Sequence, residues 1–165
     1  MKNFILFPLL ITALITSCQD DSVPEPTIEG FYAKKNDEEI KGRVEIYSIA
    51  KTDSLTILFD NNLPNDEVLV VKIPFRGIGK YAVKRNQSYF YSTVGDDVFM
   101  SEYDQVNSDA GQLEILKYDK ATKTVTGKFF IRLNKKWSYL PTDVNIIEFT
   151  EGFFQGKVNN YLAGL

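Results

Sequence analysis

Polar and apolar residues alternate with a period of two through residues 111–133, and this pattern limits the structures the chain can form. In a strand, successive side chains point to opposite faces, so alternation makes one face apolar. The segment Tyr118–Lys123 is polar enough for a hairpin loop. After it, one face carries Val125, Phe129, Ile131 and Leu133, opposite Thr124, Thr126, Lys128 and Arg132. We predict a β-hairpin over Gly111–Leu133, with Gly127 at a bend or a close approach between sheets.

Other alternating or continuously apolar segments predict strands along the rest of the chain. No stretch sustains apolar residues at helical spacing over three turns. Gly152 interrupts the last segment and predicts a bulge or tight corner. The segments are 54–59, 68–73, 81–83, 89–91, 98–103, 145–150 and 153–155. They predict one all-β domain of about eight to ten strands, an antiparallel β-sandwich or open barrel, with a lipocalin-like meander as one form.

The composition excludes several classes of function. The 165 residues include no histidine and one cysteine. A Ser-His-Asp or Cys-His catalytic arrangement, a histidine-ligated metal and an internal disulfide are therefore excluded. A net charge of −3 and a pI near 5.1 argue against a nucleic-acid partner. We expect no cofactor, no metal site and no catalytic residue.

The N-terminus has the organisation of a secretory signal. Lys2 precedes an apolar run at residues 4–15 that is too short to span a membrane and contains Pro8. The run ends in Ile15-Thr16-Ser17-Cys18, which resembles the lipobox of bacterial lipoproteins. In that family the cysteine is lipidated and becomes the first residue of the mature chain. We therefore predict a signal peptide at residues 1–17 and lipidation at Cys18.

Residues 18–27 are predicted to be a flexible tether, followed by a β domain at 28–165. The acidic residues and the prolines of this segment cannot bury apolar surface. The pair Asp20-Asp21 after Cys18 resembles the acidic surface-export signal of Bacteroidota lipoproteins. We expect a bacterial outer-membrane lipoprotein, either exposed at the cell surface or facing the periplasm.

The second half of the chain resembles a family of uncharacterised Bacteroidota lipoproteins, a domain of unknown function. One departure is that the last strand has extra residues before Thr150. The matching segments are Gly79–Tyr81, GQLEILKYD at 111–119, VTGKF at 125–129, VNI at 144–146 and TEGFF at 150–154. The resemblance implies a lipid-anchored, β-rich fold and supplies no catalytic residues.

The candidate ligand-contact residues are Trp137 and Tyr139, within the segment Lys135–Pro141, which is predicted to be a loop. Aromatic rings on an exposed loop can stack on a sugar or anchor a partner protein. The alternative is that Trp137 packs back onto the core, which the high average burial of tryptophan favours. Tyr89 and Tyr91 share one face of a strand, as in any half-buried strand.

The remaining polar clusters have ordinary interpretations. Asp104, Asn107 and Asp109 in one loop, like the pair Asp96-Asp97, contain the oxygen ligands that Ca²⁺ takes, but the spacing is not that of an EF-hand and such loops are common turns. An interior cavity is a further alternative to a filled core. Its aromatic lining would be Phe75, Tyr81, Phe90, Phe99 and Phe129.

These observations leave three functional hypotheses. The first is a lipid-anchored module that binds a glycan, a small molecule or an envelope protein through its loops. The second is a glycan hydrolase that uses two carboxylates across a cleft. The third is a structural envelope protein without a ligand.

Overall fold

The computed structural model describes residues 29–49, 53–61, 66–95, 97–105 and 111–161. The predicted signal peptide, Cys18 and the tether lie outside these residues. None of these described residues forms a helix that could span a membrane.

Ten strands make up the described part of the chain, and the all-β prediction is confirmed. The first two strands were not anticipated from the sequence. The strands are β1 Gly30–Lys35, β2 Glu38–Ile49, β3 Ser54–Asn61, β4 Glu67–Pro74, β5 Gly79–Ala82, β6 Ser88–Val94, β7 Val98–Asp104, β8 Gly111–Asp119, β9 Thr124–Ser138 and β10 Ile146–Tyr161.

Eight of these strands pair in a closed circuit, in the order β1–β2–β3–β4–β6–β7–β9–β10 and back to β1. β8 pairs with the first half of β9 and carries β5 on its other side. A circuit of this kind leaves few unpaired strand edges, which is how barrels avoid edge-to-edge association. The architecture therefore belongs to the predicted class of open barrel or sandwich.

The purely antiparallel prediction is wrong at one place, because β10 and β2 pair in parallel over Val158–Tyr161 and Ile46–Ile49. The cause is the length of β10. It runs antiparallel to β1, which is itself antiparallel to β2. β10 continues past the point where it pairs with Gly30, the first residue of β1. There it pairs directly with β2, which runs in the same direction.

The predicted hairpin is confirmed as β8 and β9, with Leu113 opposite Phe129. Asp119 closes its turn by accepting a hydrogen bond from the Ala121 amide at 2.8 Å. Gly127 does lie at a close approach, since a Cβ there would come within 2.6 Å of the Phe154 ring, but the approach is to its ladder partner in the same sheet and not between sheets. The loop prediction for Lys135–Pro141 is wrong in its first half, because β9 continues to Ser138.

The inward-facing side chains fill the interior of the circuit. The Phe59 ring stacks on Phe129 with centroids 4.3 Å apart and meets Phe154 edge to face at 5.4 Å. A gap lined by Phe90 and Phe149, among others, has a volume of only about 10 Å³, too little for a ligand. Of the five proposed cavity residues, Phe90 and Phe129 are core, and Phe75 and Tyr81 pack against the core. Phe99 lies outside with 53 % of its surface exposed.

Among the described residues, Tyr103 has the largest fully buried side chain, and it supplies a test of the packing. It is 1 % exposed, and its hydroxyl donates to the Val144 carbonyl at 2.9 Å. Burial, with a smaller contribution from the charge of Asp143, raises the pKa of Tyr103 to about 12. The folded protein therefore keeps this proton at pH values where the unfolded chain, with a pKa near 10, has lost it.

We expect the free energy of unfolding to fall between about pH 10 and 12, by about 2–3 kcal/mol from this residue alone. Tyr103→Phe should be less stable than wild type by about 1 kcal/mol near neutral pH, because the hydrogen bond to Val144 is lost. The variant should become the more stable protein near pH 12. Urea unfolding of both proteins across this range measures the difference, and parallel pH profiles would contradict the assignment.

Candidate functional site

The structure brings Trp137 and Tyr139 together at the end of β9. Their ring centroids are 5.4 Å apart in an edge-to-face arrangement. Tyr139 is 74 % exposed, whereas Trp137 is half-buried. The Tyr139 amide donates to the Met100 carbonyl at 2.9 Å, and this bond holds the residue that follows β9 against β7.

A β-bulge decides which way Trp137 points. Phe129, Ile131 and Leu133 face the core, and strict alternation would place residue 137 on the same inner side. However, Tyr103 pairs with Lys135 while its neighbour Glu102 pairs with Trp137, so β9 contains one extra residue. A bulge of this type re-aims the side chains that follow it. Trp137 therefore lies half-buried on the same outer side as Glu102, and not among the core residues that the high average burial of tryptophan favoured.

Glu102 holds the indole in place. Its two carboxylate oxygens accept hydrogen bonds from Trp137 Nε1 at 2.9 Å and from Lys136 Nζ at 2.8 Å. Glu102 therefore binds both Lys136, the extra residue of the bulge, and Trp137, which follows it. The Lys136 hydrogen bond, aided by that of Trp137, lowers the pKa of Glu102 below its usual value of 4.5, while burial acts in the opposite direction.

Three more rings extend this surface across β6 and β7. Tyr91 lies opposite Glu102 in the ladder and contacts Phe99 edge to face at 5.3 Å. Tyr89 is stacked near Tyr91, with centroids 6.3 Å apart. We define the aromatic face as the outer surface formed by Tyr89, Tyr91, Phe99, Trp137 and Tyr139 around Glu102.

The loop after β9 is tied down by polar contacts, which fixes the position of Tyr139. Ser138 Oγ donates to Asp143 Oδ2 at 2.6 Å and accepts from the Leu140 amide at 2.9 Å. Lys135 Nζ donates to the Asp143 carbonyl at 2.8 Å. Of the aromatic face, Trp137 therefore lies at the end of β9 and Tyr139 on a turn held by hydrogen bonds.

The acidic clusters considered above as Ca²⁺ ligands do not assemble into a metal site within the described residues. No group of three or more acidic or cysteine side chains there is arranged to hold a metal ion. Asp96, Asn107 and Asp109 fall outside the described residues. Asp104 lies on β7, and Asp97 adjoins its start.

The hydrolase hypothesis requires two acids in one cleft, and Glu114 and Glu151 do line a common groove. Glu151 is engaged in an ion pair with Lys34, at 2.8 Å. Glu114 belongs to β8 and Glu151 to β10, with β9 between them. The hydrolase hypothesis remains a prediction.

Residues 27–157 match the model of a protein family described as a domain of unknown function, DUF6252. The chain belongs to this family. No curated protein and no solved structure is significantly similar to it. The DUF6252 match extends from before β1 into β10, so it includes every residue of the aromatic face. Because the family has no assigned function, no residue role transfers to the chain from it.

Glu102 and the neighbouring rings were not identified as parts of a site from the sequence. Tyr89 and Tyr91 were recognised as sharing a face, but nothing in the spacing connects them with Trp137. Their contact depends on the pairing of β7 with both β6 and β9. Phe99 was assigned to the interior, and the irregular pairing of β6 and β7 between Ser92 and Thr93 places it beside Tyr91 instead.

The single tryptophan offers a direct test of the Glu102 contact. Because the carboxylate form of Glu102 is stabilised in the folded chain, its pKa is lowered, and we expect the fluorescence emission of Trp137 to change on acidification as Glu102 gains a proton. The midpoint of this change should lie below 4.5, the ordinary pKa of a glutamate. Glu102→Gln should abolish this transition, and Glu114→Gln, on a different part of the surface, should retain it. Circular dichroism must show a folded protein throughout, and identical titrations of wild type and Glu102→Gln would refute the contact.

Proposed function

We propose that the chain is a lipid-anchored module of the bacterial cell envelope that holds a partner protein against its aromatic face. The observation that carries this proposal is the position of Trp137, which the bulge turns outward and Glu102 fixes. Protein interfaces are enriched in tryptophan and tyrosine at their centres, with charged residues at the rim. The aromatic face supplies the tryptophan and tyrosines of such a centre, and the carboxylate of Glu102 within it is already hydrogen-bonded to Trp137 and Lys136.

Exposed apolar residues next to the face support a protein partner. Val94 and Val98 pair at the end of the β6–β7 hairpin and are 47 % and 56 % exposed. Phe99 and Tyr139 of the aromatic face are themselves 53 % and 74 % exposed, and exposed apolar surface of this kind marks interaction sites. The rings are also pre-positioned by contacts within the domain, which reduces the entropy lost on binding.

The anchor is supported by the segment Ile15–Cys18, whose cysteine is the only one in the chain. Several acyl chains on one cysteine would hold the protein stably, because each buried methylene contributes about 0.8 kcal/mol. The tether that follows would let the β domain stand away from the membrane.

Replacing the anchor residue tests the first half of the proposal. Wild type expressed in a lipoprotein-processing bacterium should fractionate with membranes, and mass spectrometry should find acylated Cys18 at its N-terminus. Cys18→Ser should lose the acyl mass and leave the membrane fraction. An unmodified Cys18, or membrane association that survives the substitution, would contradict the anchor.

Site-specific photocrosslinking tests the second half. Benzoylphenylalanine at position 139 of the full chain should give one discrete protein adduct in intact envelopes. Combining it with Trp137→Ala should remove most of that adduct, because truncating a central anchor typically costs more than about 1 kcal/mol of binding. The matched control is benzoylphenylalanine at position 130, an exposed aromatic site elsewhere on the surface. Absence of a protein adduct at 139, or the same adduct at 130, would overturn the proposal.

A further inference from the structure

A groove of about 500 Å³ lies on the outer surface where β1, β10, β9 and β8 run side by side. One row of paired residues crosses it: Tyr32, Phe153, Lys128 and Glu114. A second depression of about 340 Å³ shares Tyr32 and Glu151 with the first and extends across β1 toward β2. Volumes of this size are typical of sites for small ligands.

The groove has an aromatic floor, in which the Tyr32 ring is held against Phe153. Tyr32 stacks on Phe153 with centroids 5.6 Å apart and planes 8° apart. Phe153 is only 2 % exposed, although the next residue, Phe154, faces the core. Phe130 is 41 % exposed in the same groove. The apolar surfaces available to a ligand are therefore those of Tyr32 and Phe130, and Phe153 sets the orientation of the first.

A bulge in β10 builds the rim. Between Phe149 and Gly152 the register shifts, and Glu151 takes a left-handed backbone conformation with φ 51°. Such a conformation is unfavourable for a residue other than glycine. A Cβ on Gly152 would lie 2.6 Å from the Phe129 ring, so this glycine allows Phe129 to pack beneath the bulge. Glu151 lines the groove and pairs with Lys34 at 2.8 Å.

The charges around the floor balance. In the groove, Lys128 lies opposite Glu114 in the ladder, and Glu151 is paired with Lys34 at 2.8 Å. Gln112 adds an amide that can both donate and accept. The adjoining depression adds one further lysine and one glutamate, Lys41 and Glu39. An anion or a cation would meet as much repulsion as attraction here. A neutral ligand rich in hydroxyl groups would find both donors and acceptors.

We propose that this groove binds one uncharged sugar residue, with the apolar C–H face of the ring against Tyr32 and Phe130. Its hydroxyl groups donate to Glu114 and Glu151 and accept from Lys128 and Gln112. This site is separate from the aromatic face, and its ligand is a carbohydrate rather than a protein.

Binding to a glycan array tests the class of ligand. The full-length protein, purified in detergent, should bind neutral hexose oligosaccharides, and glycans whose recognised unit is a uronic or sialic acid should not bind. Calorimetry with the best oligosaccharide and with its free methyl hexoside distinguishes a chain-bound sugar from a free one, and either result supports the site. Binding restricted to acidic glycans, or to none, would overturn the proposal.

Substitutions locate the binding on the surface. Phe130→Ala should weaken affinity at least about tenfold, because it removes one stacking surface. Gln112→Ala is a second variant, which removes an exposed amide and leaves the floor intact. Phe99→Ala, an exposed ring of the aromatic face, is the matched control and should bind the glycan as wild type does. Unchanged affinity in both groove variants would refute the site.

Applying both assays, photocrosslinking and glycan binding, to the same variants separates this inference from the proposed function. Trp137→Ala should lose the protein adduct and keep the glycan, whereas Phe130→Ala should do the reverse. Chromatography of the glycan after prolonged incubation should return it intact. Release of shorter products would show that the groove hydrolyses the glycan, and would overturn the assignment of a binding site.

Discussion

The pairing of β10 with three other strands is the constraint on which the rest of the structure depends. Its residues bond to β9 along most of its length, to β1 over 149–155 and to β2 over 158–161. These bonds close the circuit and bring the rings of Phe59, Phe129 and Phe154 into one packed centre. Because that centre is filled, a ligand has to be held on the outer surface, and both surfaces proposed as sites are outside the circuit.

Each of these surfaces is built where the alternation of a strand fails. At Lys136 an extra residue in β9 sends Trp137 outward. At Glu151 an irregularity in β10 places a carboxylate at the groove rim. In both places the bulge is accompanied by a compensating contact, the Glu102 hydrogen bonds in the first and the Phe129–Gly152 packing in the second. Bulges that re-aim side chains are a common way for sheets to form sites.

The sequence predicted those parts of the fold that alternation alone determines. The hairpin of β8 and β9 was found with its turn and with Gly127 at a close approach, because polar and apolar residues alternate cleanly there. β1 and β2 were missed, since charged residues such as Lys34 and Glu45 dilute their pattern. The outward turn of Trp137 could not be found, because a bulge is set by pairing with Glu102 on a distant strand. Phe130 did leave a signal, as an aromatic residue within the polar face of Lys128 and Arg132.

The length of β9 explains how one small domain can carry two separate surfaces. Its first half pairs with β8, and there Lys128 and Phe130 face the groove. Its second half pairs with β7, and there Trp137 joins the aromatic face. The change of neighbour along a single 15-residue strand is what separates the two surfaces. A partner protein on one and a sugar on the other would then contact different neighbouring strands, so binding at either leaves the hydrogen bonds that close the circuit in place.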